Sequence, residues 1–174
     1  SKRFLAIGAH ALSEKMLELI ARLSLTQRLI VLDCGNRSNM YSVAKLIRPY
    51  TSDPVKVMCN IRLSRAFTCY QVLAMVQAVA ANPPREPLVI LDFLATFLDE
   101  DVELKDARRL LERSLDCLAA LSVSSPVVIS ARPTPTISRQ RAGLLELLRN
   151  NADVCWEEPH ALQAAQQTQM FLFG

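Results

Sequence analysis

Glycine is scarce: only Gly8, Gly35, Gly143 and Gly174 occur in 174 residues. A loop that cradles phosphate needs several glycines close together, so that successive backbone N–H groups can face the anion. No complete loop of that kind can be written anywhere along this chain. Paired cysteines are missing as well. Cys34, Cys59, Cys69, Cys117 and Cys155 are an odd number, widely scattered, with no CxxC, which argues against a zinc site. Most stand in apolar stretches and read as reduced, buried thiols. His10 and His160 are the two histidines, and neither has a partner pattern for a Ser-His-Asp arrangement. No apolar run is long enough to span a bilayer and no signal peptide is visible, so the chain is expected in a reducing cytoplasm, at the nucleoid or nucleus, with no membrane contact.

What is present is globular in character. Hydrophobic residues make up 51% of the chain and the net charge is +3, a balance that permits contact with nucleic acid without demanding it. Short apolar runs alternate with longer helical patterns. The runs are "RFLAIG", "RLIVLD", "VKVMC", "PLVILD" and "PVVISA", each reading as a strand buried on both faces, as in a parallel sheet. Between them, "SEKMLELIARLSL" places Met16, Leu19, Ile20 and Leu23 on one face, with Ser13 as the N-cap. "FTCYQVLAMVQAVAA" reads as a buried helix, with Phe67 and Tyr70 in the core. "LKDARRLLERSLDCLAAL" sets Leu104, Leu111, Leu115 and Leu118 against a charged face. "ADVCWEE" and "TQMFLF" read as further strands at the sheet edge. Strand and helix in alternation predict one doubly wound, mostly parallel α/β domain over residues 1–174.

Ligands of such sheets sit at the carboxyl ends of the strands, which directs attention to "GAHALSEK", "DCGNRSN", "DFLATFLDED" and "ARPTPTISRQR". Together with "NIRLSRAFTCYQVLAMVQAV", where Arg65, Ala66 and Phe67 open a helix that holds Gln71, these junctions resemble the ATPase core of the RecA/RadA recombinases over roughly residues 3 to 156. KaiC-like proteins share that core. The resemblance implies P-loop NTPase-type topology and makes Gly8, Lys15, Asp33 and Asp92 the remnants of a nucleotide site, Asp92 standing on the metal side.

The chain departs from this family where the chemistry is done. A Walker A loop is G-x-x-x-x-G-K-[ST]. Here "GAHALSEKM" is one residue too long, has Ser13 and Glu14 in place of the second glycine, and has Met16 in place of the hydroxyl. The glutamate that polarises water in the family is absent after Asp33. The expectation is a catalytically degenerate RecA-like protein with no cofactor, an accessory or interaction subunit in DNA repair or recombination. Its partners would be another RecA-like subunit or a second copy, and single-stranded DNA. The alternative is a divergent ATPase that uses ATP and Mg²⁺ in an atypical or partner-completed site. A KaiC-like signalling scaffold without DNA contact is the third reading.

Two segments are candidate contact sites. In the resemblance, "ARPTPTISRQRAGLLELLR" is the loop that meets single-stranded DNA, which would give Arg132, Arg139 and Arg141 phosphate-binding roles. It reads equally as a solvated loop that caps the next helix at Ser138. At the tail, Gln167, Met170 and Phe171 fit the Q-x-x-[LM]-F peptide by which DNA-metabolism proteins hold the bacterial sliding clamp. The competing reading there is an edge strand.

Overall fold

The computed structural model describes residues 2–133 and 139–159. They form six strands and six α-helices: β1 (Arg3–Ile7), α1 (Ser13–Ser24), β2 (Leu29–Asp33), α2 (Met40–Ile47), α3 (Pro54–Met58), β3 (Ile61–Arg65), α4 (Cys69–Ala81), β4 (Leu88–Leu91), α5 (Leu104–Leu121), β5 (Val127–Ala131), α6 (Ala142–Asn150) and β6 (Val154–Glu157). The sheet runs β3-β2-β4-β5-β1-β6 and every pairing is parallel. The doubly wound α/β architecture expected from the alternating runs is therefore the one observed, consistent with a RecA-like core.

The period of two in the central strands divides the core. Leu29 and Val31 of β2 and Val89 and Leu91 of β4 face α1 and α2. Ile30, Leu32, Leu88 and Ile90 face the opposite way, against α4, α5 and α6. Such strands are hydrophobic throughout because both faces are covered. Each buried Leu, Ile or Val contributes about 1.5–3 kcal/mol, so the two layers hold the sheet rigid beneath the loops at its carboxyl edge. No helix among the described residues is long and apolar enough to cross a membrane.

One strand lies elsewhere than the sequence suggests. "VKVMC" belongs to α3, and the edge strand is "IRLSR", residues 61 to 65. The helix start is decided by Asp53, whose side chain accepts from the Lys56 N–H at 3.0 Å, and by Pro54 in the first turn. These local signals outweigh the β-branched composition of the run. "ADVCWEE" does supply β6, while "TQMFLF" lies outside the described residues.

Two places at the carboxyl edge are switch points, where neighbouring strands lead to opposite layers. β2 continues to α2 and its neighbour β4 continues to α5. β1 continues to α1 and its neighbour β5 continues to α6. Crevices open at such points. Asp33 and Asp92 end the first pair of strands, and Gly8 and Arg132 follow the second.

Candidate functional site

The segment after β1, where a phosphate loop would lie, is a left-handed turn. His10, Ala11 and Leu12 have φ of 51°, 54° and 55°. This region costs a residue with a side chain about 1–2 kcal/mol. The Gly8 N–H donates to the Ala131 carbonyl at 3.2 Å, the Ala11 N–H to the Gly8 carbonyl at 3.1 Å, and the Ser13 N–H to the His10 carbonyl. Three donors that an anion would need are thus spent within the protein. Ala11 and Leu12 are buried. Leu12 folds over Gly8 so closely that a Cβ at Gly8 would lie 2.2 Å from Leu12 Cδ2. Gly8 is thus packed against the chain's own leucine.

Ser13 is not the N-cap of α1. Leu12 holds that position, and the Ser13 hydroxyl donates to the His10 carbonyl at 2.5 Å, tightening the turn. Lys15 lines the same cavity as the turn and is held there by a carboxylate. Its Nζ is 2.6 Å from Glu158 and sits 4.9 Å from the centroid of the Trp156 ring. β6 therefore holds the lysine that a nucleotide site would aim at phosphate. Met16 is buried among α1's core residues and offers no oxygen to a metal. A cavity of about 480 Å³ does open beside this turn, lined in part by His10, Ser13, Glu14, Lys15, Arg37 and Glu158. Glu14 and Glu158 place two carboxylates against its two cations, a poor setting for a triphosphate.

The second crevice is filled by ion pairs. Asp33 is fully buried. It accepts from the backbone N–H groups of Gly35 (3.3 Å), Arg37 (2.9 Å) and Ser38 (2.9 Å), and from the Ser38 hydroxyl at 2.5 Å. The Arg65 guanidinium lies 3.4 Å from the same carboxylate and donates to the Ser38 hydroxyl and carbonyl. Asp92 is equally buried, with Arg37 at 3.3 Å and Arg132 at 3.0 Å. Its own φ is 50°. Between the two carboxylates lies Cys34, whose thiol is pushed up by burial and then by Asp33 and Asp92, so it stays protonated and is no nucleophile.

These residues do not fit a nucleotide-bound Mg²⁺. The Asp92 carboxylate is shared between two guanidinium groups, and Met16 stands where a hydroxyl ligand would be needed. Gly35 is required here by close approach: a Cβ would meet Asp92 Oδ2 at 2.4 Å and Asp92 Cβ at 2.5 Å. Gly35→Ala is expected to destabilise the protein by about 1–3 kcal/mol through overpacking, read as a fall in the urea midpoint at constant slope.

Of the three arginines proposed for DNA, Arg132 and Arg141 are each held by partners within the protein. Arg132 is bound to Asp92. Arg141 is buried and donates to the carbonyls of Phe97, at 2.7 Å, and Val102. It is an internal clamp on the loop before α5, out of reach of a phosphate at the surface. Arg139 opens a short turn, but its side chain, Ser138 and the "TPTI" stretch lie outside the described residues, as do His160 and the clamp-like Gln167, Met170 and Phe171. Sequence reasoning also placed Phe67 and Tyr70 in the core, whereas they are 70% and 53% exposed. The neighbouring Ala66 and Cys69 take the buried positions instead.

No protein-family model matches this chain, and no curated protein matches it.

Proposed function

We propose that the chain is a RecA-like module that has given up nucleotide chemistry and acts as an accessory or interaction subunit in DNA repair or recombination. The observation that carries this reading is the closed turn after β1. Leu12 packs against Gly8, three N–H donors are bonded internally, and Lys15 is held by Glu158 and Trp156. The fold class supports the comparison with RecA-like cores, whose domains assemble edge to edge and can supply an interface without an ATP site of their own. A related subunit or a second copy is the partner this reading implies. The resemblance offers the divergent ATPase as its alternative, and the closed turn weighs against that.

Titration calorimetry with Mg-ATP tests it. The expected result is no binding tighter than about 1 mM, which is some −4 kcal/mol, and no phosphate release. A micromolar dissociation constant would overturn the proposal and return the chain to the ATPases.

A further inference from the structure

We infer that the β3 edge of the molecule, residues 41 to 70, is a binding surface for single-stranded nucleic acid. Charge is distributed very unevenly along this chain. Of its 20 Lys and Arg, six fall between residues 37 and 70, against one of its 17 acidic residues, leaving 14 basic and 16 acidic side chains elsewhere. Arg37 and Arg65 are tied to Asp92 and Asp33. Lys45, Arg48, Lys56 and Arg62 are exposed and make no ion pair among the described residues.

Aromatic rings are interleaved with these cations, and they too face outward. Tyr41 is 72% exposed, Tyr50 69%, Phe67 70% and Tyr70 53%. Tyr41, Lys45 and Arg48 follow one another at helical spacing along α2 and the turn after it, while Val43 and Ile47 face inward. α2 packs against α3, which presents Val55 and Lys56 and leads directly into the edge strand; there Ile61 and Leu63 pack toward the α1–α2 layer and Arg62 is exposed on the other side of the edge. Arg65 joins the two parts through its bonds to Ser38, just ahead of α2. The backbone at Phe67 is held: its N–H donates to Gln71 Oε1 at 2.8 Å, and Thr68 caps α4 beside it.

Exposed cations without acidic partners, on a stretch of chain that also exposes four rings, match the chemistry of a single strand. Phosphates are neutralised by Lys and Arg, and unpaired bases stack on the rings in a way that tolerates any sequence. A duplex hides its base faces and would use only the charges. Protein interfaces are depleted in Lys at their centres, and charged side chains on an edge strand discourage the pairing of a further strand there. The surface would bind such a strand whether or not the chain is a relative of the recombinases.

Fluorescence anisotropy with oligothymidylate and oligouridylate of about 16 nucleotides, the upper end of single-strand site sizes, tests this between about 50 and 200 mM salt. Wild type should bind, with affinity falling steeply as salt rises. The variant K45Q/R48Q/K56Q should lower the log–log slope by about 2, at roughly 0.7 per lost phosphate contact. Phe67→Ala should weaken binding by about tenfold, and Phe67→Tyr, which keeps the ring, should restore it. Preference for one oligonucleotide identifies DNA or RNA and supports the surface either way. No binding at the lowest salt overturns the proposal. So does an unchanged slope in the triple variant, or binding that only Arg132→Gln removes. A polyglutamate peptide that competes equally well, with Phe67→Ala as tight as wild type, would show a mere anion or acidic-protein surface and overturn it too.

Discussion

Asp33→Ala is expected to lower the unfolding free energy by about 4 kcal/mol. Hydrogen bonds to a charged group contribute about 1.5–3 kcal/mol each, and orphaned buried donors cost about 1–3. Asp33 holds four donors from Gly35, Arg37 and Ser38, two of them at 2.9 Å and one at 2.5 Å, with no exposure to water. Arg65 adds little to the loss, since its side chain is 42% exposed and can turn to solvent. The cost therefore lies in the loop backbone, which would have to open to find water. Asp33→Asn keeps one acceptor oxygen and turns an NH₂ toward donors, so about half the loss is expected. Urea unfolding compares the two variants. Equal effects of Ala and Asn, or a loss under about 1 kcal/mol for Ala, would show that the loop does not depend on this carboxylate.

The same residue illustrates what the sequence discloses and what it hides. That an acid ends the strand "RLIVLD" is visible in the pattern, and the strand itself follows from five consecutive apolar or β-compatible positions closing at a turn. Whether the acid faces a ligand or staples its own loop depends on where residues 35 to 38 fold back, which no spacing reveals. The α/β order was legible because period and composition repeat along the whole chain. "VKVMC" was misread because composition was weighed without Asp53 and Pro54, the cap and first-turn signals directly ahead of it. Phe67 and Tyr70 were misread for a related reason. Aromatic residues carry a strong expectation of burial, but the phase of α4 is set by Cys69, Val72, Leu73 and Val76, and that phase turns Tyr70 outward. The degenerate phosphate loop was legible in its missing glycines. That Glu158, just after β6, captures Lys15 came only with the fold, because those partners are 143 positions apart.

Arg141→Ala is the second large effect expected, about 3 kcal/mol, and it separates a structural arginine from a DNA-contacting one. The guanidinium is buried, with 6% of the residue exposed, and donates to the carbonyls of Phe97 and Val102. It thereby ties the start of α6 to the loop between β4 and α5. Both carbonyls would lose a charged donor, at about 1.5–3 kcal/mol each, with part recovered by water entering the space. Arg141→Met keeps the apolar stem and removes only the donors, so most of the loss should persist; Arg141→Lys offers one ammonium in place of a planar fork and should recover a fraction. Amide exchange locates the damage: protection should fall first at Phe97, Leu98 and Val102, whose N–H groups bond within that loop. At a salt where the folded population is complete, oligonucleotide binding by Arg141→Lys should keep the wild-type salt slope, since a buried cation releases no counterions from a bound strand. A normal melting temperature together with a slope reduced by about 0.7 would instead place Arg141 on the nucleic acid, and the internal clamp would have to be abandoned.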